Sequence, residues 1–230
     1  MWTFVPIHDT IIVTNNPRIF KRCAAAPSFI NLERMFCMKI EQYVMAYRVE
    51  QDRLRAMLPE GFTSLRPVLR INAEIRTEEK ETFYIEYNTP VEGFGKRGWL
   101  NIGHWETPIS CVKEGSSITF RTPFLEITYT GVGLVGGCPA EKDNDGCFYG
   151  NLFVPAEKID QNKEYCNCSF RWKYTENDAH GISADGKSIP AIPDEHLHQY
   201  NKQELTPENA AKIPCKQVLG AYTVIFERKE

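Results

Sequence analysis

Two runs of alternating apolar and polar residues, at positions 67–76 and 83–88, constrain the fold of this chain more than any other part of its sequence. Successive side chains of a β-strand point to opposite faces of the sheet, so a period of two predicts a strand with one apolar and one polar face. We therefore predict two neighbouring strands here. Their polar faces are formed by Arg70, Asn72 and Glu74 in the first run and by Tyr84, Glu86 and Asn88 in the second.

Most of the other periodic segments also predict strands. Short helices are predicted at positions 50–58 and 194–202 and from Thr206, where threonine followed by proline suits a helix start. Positions 90–97 and 181–193 predict loops. The fold class is therefore mainly β (α+β), and closure of an antiparallel sheet into a barrel would remove its exposed edges. Runs rich in β-branched and aromatic residues predict the further strands, at positions 43–49, 98–105, 117–122, 124–132, 147–154, 166–174 and 217–228.

The composition favours a protein without a nucleic-acid or membrane partner. A chain of 230 residues is long enough for a sizeable core. The formal charge of -3 supplies no basic field for nucleic acid, and no apolar run approaches the roughly 20 residues that cross a bilayer. The start of the chain lacks the pattern of a signal peptide. We therefore expect a cytoplasmic protein whose eight cysteines are mostly reduced thiols.

The first part of the chain lacks the regular alternation of apolar and polar residues seen in the rest. Residues 1–37 show no clean periodicity and predict an N-terminal arm or non-core extension, ahead of a β domain at residues 38–230. An alternative with equal support is that the natural protein begins at Met35 or Met38, where the folded-looking sequence starts.

Two groups of residues have the chemistry of metal ligands but not the spacing. Cys138, Cys147, Cys166 and Cys168 lack the closely spaced pairs of a zinc ribbon, and buried free thiols account for them better. In the segment at positions 195–198, the two histidines are two residues apart, so on a helix their side chains would point in different directions, whereas on an extended segment they could converge. We predict no metal and no cofactor.

One stretch of the chain, positions 43–88, resembles a known family. Tyr47-Arg48, the Leu-Pro-Glu-Gly-Phe run at 58–62 and the strands at 68–71 and 84–86 resemble the start of the acetoacetate decarboxylase family, and positions 218–226 are similar to its closing strand. The resemblance implies an antiparallel, barrel-like β fold with short flanking helices. It also implies that the protein binds a small molecule and forms a homo-oligomer, since family members often associate.

The resemblance also changes the interpretation of the polar strand faces. By composition alone, these faces would meet water, as in most half-buried antiparallel sheets. Family members hold the glutamate that matches Glu86 in the binding cavity, so the resemblance implies that the polar faces line a small polar cavity. Glu86 is then a catalytic residue for proton transfer or orientation. The implied substrate-binding residues are Arg70, which would hold a carboxylate, with Asn72, Glu74 and Tyr84.

The chain departs from the family at the catalytic lysine. In the family, a lysine in a proline-lysine-lysine run condenses with the ketone of a β-keto acid, and such a lysine must be neutral. This sequence has no such run, and Lys113 is the one amine nucleophile suggested by position, although a lysine beside Glu114 in a charged hairpin is typically solvated. Asn72 replaces a family acid, and Ile40 stands where the family has an arginine.

Two hypotheses about function follow. The first is an enzyme, a carbon–carbon lyase of the decarboxylase type, that acts on a small oxo acid or a related carbonyl compound, with Glu86 and Lys113 as its catalytic residues. The second is a non-catalytic protein that binds a small carbonyl or carboxylate ligand, or serves in an assembly, after loss of the lysine.

Overall fold

The structure, a computed structural model, describes residues 4–7, 10–13, 37–134, 137, 145–157, 159, 163–175, 178–181 and 202–229. The chain divides into two compact units, Met1–Met35 and Phe36–Glu230. In the first unit, β1 (Phe4–Ile7) and β2 (Thr10–Val13) form an antiparallel pair. All further elements belong to the second unit.

The second unit is built from strands, with two one-turn helices among its described residues. No helix in this described part is long and apolar enough to cross a bilayer. Its elements, in chain order, are β3 (Cys37–Arg48), α1 (Gln51–Arg55), β4 (Phe62–Ser64), β5 (Val68–Thr77), β6 (Glu81–Gly93), β7 (Lys96–Trp105), β8 (Ser110–Glu114), β9 (Ser117–Arg121), β10 (Leu125–Thr130), β11 (Gly146–Tyr149), β12 (Leu152–Pro155), β13 (Glu164–Trp172), β14 (Asp178–Gly181), α2 (Pro207–Ala211) and β15 (Gln217–Lys229).

The strands of the second unit form one large sheet of thirteen strands. Its main path runs β12-β11-β7-β6-β5-β3-β15-β13-β10-β9-β8, with β4 paired to β6 and β14 to β13. The mainly β fold class predicted from the sequence is confirmed. Two details differ from the prediction. Strand β11 pairs with β7 in parallel, so the sheet is mixed, and the path of described strands ends at β12 and β8 without closing into a barrel.

The apolar face of the long strands forms the main core. Alternate residues of β3, β5 and β6, such as Tyr43, Ile71 and Tyr87, are buried there with residues of β9, β10 and β13. The ring of Tyr43 lies 5.7 Å from that of Phe120 and 5.5 Å from that of Tyr129, measured between centroids, so the two parts of the sheet pack face to face. The strict alternation of β5 and β6 thus places their polar residues on the opposite face of the sheet.

Local sequence signals explain several element boundaries. Thr206 caps α2, because its hydroxyl accepts a hydrogen bond from the backbone N–H of Asn209 at 3.2 Å. The predicted loop at 90–97 is wrong, since β6 and β7 continue through it and leave a two-residue turn at Phe94 and Gly95, both with positive φ. The predicted strand at 147–154 is two strands, β11 and β12. The predicted helix at 194–202 lies outside the described residues, except for position 202, which is not helical.

Candidate functional site

The polar face of β3, β5 and β6 forms the floor of a cavity of about 310 Å³. Strands β11 and β12 and the segment that follows them form one wall, and β15 borders the other side. The five residues predicted from the sequence as cavity residues, Arg70, Asn72, Glu74, Tyr84 and Glu86, all line this cavity. The cavity lining also includes residues that were not predicted from the sequence as site residues, namely Gln42, Arg76, Cys147, Tyr149, Glu157, Lys163, Tyr222 and Arg228.

Glu86 is a buried carboxylate held by three hydrogen bonds. Its Oε1 accepts from the side-chain amide of Asn88 at 2.6 Å. Its Oε2 accepts from the hydroxyls of Tyr84 at 2.9 Å and Tyr149 at 3.1 Å. The side chain is 4% exposed. Because a carboxylate oxygen has two lone pairs, Oε2 is fully used, and Oε1 retains one position for a ligand.

The two tyrosines around Glu86 are fixed as hydrogen-bond donors. Burial, followed by the negative charge of Glu86, raises the pKa of Tyr84 well above its usual value. The same causes, in the same order, raise the pKa of Tyr149. Both hydroxyls therefore keep their protons across the physiological pH range and continue to donate to Glu86.

Arg70 is a buried cation with a fixed orientation. Its Nε donates to the side-chain oxygen of Asn88 at 2.8 Å, and its guanidinium lies over the ring of Trp99, 3.7 Å from the centroid. Asn88 thus joins Arg70 to Glu86, so that a cation and a carboxylate are positioned by one shared amide. Such a stacked and bonded guanidinium loses little further entropy when it binds an anion.

The charge of Glu74 is balanced by neighbouring side chains of the cavity lining. It accepts hydrogen bonds from Gln42 at 3.1 Å and from Arg76 at 2.8 Å, and Arg228 lies 3.7 Å away. Burial alone would lower the pKa of Arg228, but its hydrogen bonds to Glu157 and the charge of Glu74 raise it overall. This cluster of charges has its partners within the protein, so we regard Glu74 as part of the cavity frame.

Lys163 supplies the one primary amine among the described lining residues. It lies just before β13, and its Nζ donates to the hydroxyl of Tyr222 at 3.4 Å and lies 4.6 Å from the centroid of that ring. The hydrogen bond is long, and an ammonium group has three donors, so Lys163 has donors available to a ligand.

Asn72 lies at the centre of the cavity floor. Its cross-strand neighbours are Val44 on β3 and Glu86 on β6. The residue is 8% exposed, and its side-chain oxygen has no hydrogen-bond partner in the described part of the protein. A buried polar atom without a partner is uncommon and calls for an explanation.

Close backbone contact holds the wall made by β11 in place. A Cβ atom added to Gly98 of β7 would collide with the backbone of Gly146 at the start of β11, and one added to Gly146 would collide with Val154 of β12. Both positions therefore require glycine for β11 to lie between its neighbours. The sequence shows these glycines, but only the strand order shows why they are needed.

Lys113 lies away from this cavity. It is on β8, its side chain is 42% exposed, and its Nζ is 3.1 Å from Glu41 and 3.9 Å from Glu81. Burial raises the pKa of Glu41, but hydrogen bonds from Lys39 and Lys113 outweigh burial and lower it overall. The structure therefore brings Arg70, Asn72, Glu74, Tyr84 and Glu86 together and places Lys113 at a separate, solvated ion pair.

The candidate metal ligands are only partly described. Among the described residues there is no group of three or more histidine, cysteine or acidic side chains that could hold a metal ion. Cys147 lines the cavity, while Cys166 and Cys168 are buried in the core. Cys138 and the segment at 195–198 lie outside the described residues.

Comparison with known proteins gives similar structures but no sequence match. No protein-family model and no curated protein matches the chain. Its fold is similar to that of an acetoacetate decarboxylase from Legionella pneumophila, with 13% identity over 90% of this chain and 89% of that one, and a TM-score of 0.48. The enduracididine biosynthesis enzyme MppR, at 10% identity over 83% of each chain, gives a TM-score of 0.44.

A third similar structure is an acetoacetate decarboxylase-like enzyme from Sphingomonas wittichii RW1, with 12% identity over 83% of this chain and 88% of that one, and a TM-score of 0.40. Acetoacetate decarboxylases and similar enzymes, the family that positions 43–88 resemble, recur among these similar structures. At these values the likeness assigns neither a reaction nor a ligand to this chain.

Proposed function

We propose that the cavity binds a small oxo acid or a related carbonyl compound. The observation that carries the proposal is the pairing of Arg70 and Glu86 through Asn88. This pairing places a cation and a carboxylate side by side on the floor of a cavity of about 310 Å³. Pockets of roughly this size and upward hold small-molecule ligands. A guanidinium forms charge-assisted hydrogen bonds with the carboxylate of an oxo acid. A protein carboxylate can accept a hydrogen bond or a proton from the groups next to the carbonyl of that acid.

Four of the predicted site residues have a role in this proposal. Arg70 binds the ligand carboxylate, and Glu86 orients the ligand or transfers a proton through the remaining position on Oε1. Tyr84 and Tyr149 hold Glu86 at its other oxygen. Glu74 is a frame residue whose charge is balanced by Arg76 and Arg228.

Lys163 is the amine that this proposal uses for covalent chemistry. The lysine would attack the ligand carbonyl carbon as a neutral amine, after its ammonium form has lost a proton, and loss of the carbonyl oxygen as water would leave an imine, which takes up a proton to become an iminium. If the ligand is a β-keto acid, the carbon–carbon bond to its carboxylate breaks, carbon dioxide leaves, and the iminium takes up the electron pair. Lys113, the amine suggested by sequence position, pairs with Glu41 and Glu81 at the surface and is the alternative.

A second candidate function, binding without catalysis, is favoured by one observation. The position that carries an acid in the acetoacetate decarboxylase family is Asn72 here, and an amide can neither accept a proton at neutral pH nor act as a carboxylate. A protein with the same cavity and without a reactive amine would hold its ligand and release it unchanged.

The experiment that tests the proposal is reductive trapping. The protein is incubated with pyruvate or acetoacetate and borohydride, and its intact mass and peptide map are measured. Borohydride adds hydride to the imine carbon and so makes the adduct permanent. We expect one adduct, located at Lys163, that is lost in Lys163→Met and kept in the matched control Lys113→Met.

The other outcomes separate the alternatives. An adduct that disappears in Lys113→Met would restore the assignment made from the sequence. No adduct, together with binding of either acid by calorimetry, would favour the non-catalytic function. If neither acid binds, the proposed ligand class is wrong.

A further inference from the structure

We propose that Asn72 selects ligands that carry a hydroxyl group as well as a carboxylate, so that the cavity prefers oxo acids with a hydroxyl group and binds short hydroxy acids as their unreactive analogues. The inference deepens the proposed function and rests on it, because it concerns the same cavity. It rests on the side-chain oxygen of Asn72, which lies in the cavity lining, is buried and has no hydrogen-bond partner in the described structure.

The surroundings of Asn72 explain why this oxygen is unpaired. Its neighbour across β3 is Val44, which has no side-chain donor, and its neighbour across β6 is Glu86, whose carboxylate only accepts. The donors nearest to Glu86, which are Tyr84, Asn88 and Tyr149, all donate to Glu86 itself. None of these groups donates to the Asn72 oxygen, which leaves that place to a ligand.

The chemistry of the missing partner follows from this arrangement. A buried acceptor without a hydrogen-bond partner lowers the stability of the folded protein. A ligand that donates a hydrogen bond to this acceptor recovers that free energy when it binds. A ketone oxygen cannot donate a hydrogen bond, but a hydroxyl can. A hydroxyl also accepts, so it satisfies the Asn72 amide in either of its two orientations.

The position of Asn72 limits the separation between the carboxylate and the hydroxyl group of the ligand. Arg70 and Asn72 are two residues apart on the same face of β5, which separates their Cα atoms by about 6.6 Å along the strand. A carboxylate at Arg70 and a hydroxyl at Asn72 are therefore compatible with a short chain, such as a 2-hydroxy or 3-hydroxy acid. Long-chain hydroxy acids do not fit a cavity of about 310 Å³ as readily.

Calorimetric titration with matched pairs of acids tests the inference. The pairs are racemic lactate against propionate, and racemic 3-hydroxybutyrate against butyrate, which differ only by the hydroxyl group. We expect the wild-type protein to bind at least one hydroxy acid about tenfold or more tightly than its partner, the size of effect that one buried hydrogen bond produces.

Two variants identify Asn72 as the source of that preference. Asn72→Leu removes the acceptor and should reduce the hydroxyl preference to about twofold or less, while butyrate and propionate still bind. Asn167→Leu is the matched control, because the side-chain oxygen of Asn167 is also buried and unpartnered but lies on β13, outside the cavity lining. It should keep the full preference. Asn72→Val replaces Asn72→Leu if the larger side chain prevents folding.

Three results would overturn the inference. If the wild-type protein binds the two acids of each pair with equal affinity, the cavity binds carboxylates without recognising the hydroxyl group. A hydroxyl preference that survives in Asn72→Leu would assign the recognition to another residue. If none of the four acids, pyruvate or acetoacetate binds, the proposed function itself fails, and the inference fails with it.

Discussion

Tyr149 donates a hydrogen bond of 3.1 Å to Glu86, although the two residues are 63 positions apart in the chain. Tyr149 is on β11 and Glu86 on β6, so this bond joins the wall of the cavity to its floor. Glu86 is buried and Tyr149 is partly exposed. The orientation of the Glu86 carboxylate therefore depends on a strand of the same sheet that lies far along the sequence.

Replacement of Tyr149 by phenylalanine should weaken ligand binding more than it weakens the fold. The variant loses one hydrogen bond at a partly exposed site, so we expect the free energy of unfolding to fall by no more than about 1 kcal/mol. Glu86 would keep Asn88 and Tyr84 as donors but lose the one that ties it to β11. Urea unfolding measures the first effect, and calorimetric titration with pyruvate the second.

Tyr84→Phe provides the comparison for this prediction. Tyr84 is more deeply buried than Tyr149 and donates to the same oxygen of Glu86, so its loss should destabilise the protein more. Pyruvate binding that is unchanged in both variants would show that the orientation of Glu86 does not matter for the ligand.

An alanine at Gly98 should damage the cavity wall. The added methyl group would collide with the backbone of Gly146, which cannot rotate away as a flexible side chain could, so β11 must move from β7. Overpacking of this kind typically costs about 1–3 kcal/mol. We expect a lower melting temperature together with loss of pyruvate binding.

Gly137→Ala is the matched control for Gly98→Ala. A Cβ atom added to Gly137 would approach no atom closer than 3.7 Å, at the backbone oxygen of Lys163. The control should melt within about 2 °C of the wild-type protein, because an uncrowded surface substitution changes stability little. Equal stability and equal binding for both variants would contradict the role given to Gly98.

The sequence predicted the floor of the cavity but not its walls, for a physical reason. The floor residues follow the period of two in β5 and β6, which is a local property that the sequence shows directly. Tyr149 and Lys163 reach the cavity through pairing between strands distant in the chain, including the parallel pair of β7 and β11. No local pattern encodes such a pairing. The family resemblance suggested Lys113 from its position in the chain alone. Position in the chain does not determine on which face of the sheet a side chain lies.

The stability of the protein should fall as the pH rises from about 9 to 11. Burial raises the pKa of Cys111 and of Cys215 to about 11, above their unfolded value of 9.0. Burial also raises the pKa of Tyr84 and of Tyr149 above the unfolded value of 10.0. Above pH 9 the unfolded chain releases these protons while the folded protein keeps them. The unfolded state then binds fewer protons, so increasing pH favours unfolding.

Thermal melting at pH 8, 9, 10 and 11 measures this effect, and tyrosinate absorbance gives an independent check. At pH 11 the folded protein should show less tyrosinate absorbance than the same protein in urea. A melting temperature that is constant over this range, with equal absorbance in both states, would show that burial does not protect these groups.

The hydroxyl groups of Tyr47 and Tyr87 form the polar centre of the apolar core. They are 2.6 Å apart, and Tyr47 also accepts a hydrogen bond from the indole N–H of Trp172 at 3.4 Å. Tyr47→Phe leaves both Tyr87 and Trp172 without this partner, whereas Tyr87→Phe leaves the bond from Trp172 in place. Because an unpaired buried polar group costs about 1–3 kcal/mol, we expect Tyr47→Phe to be the more destabilising of the two substitutions.

The double variant distinguishes this network from simple loss of a hydroxyl. Once Tyr47 is phenylalanine, removal of the Tyr87 hydroxyl deletes an unsatisfied group, so the second substitution should cost little or restore some stability. Urea unfolding of the wild type, both single variants and the double variant gives the coupling energy, which we expect to be about 1 kcal/mol or more. Additive effects would mean that the two hydroxyls contribute independently, and that their close contact does not stabilise the core.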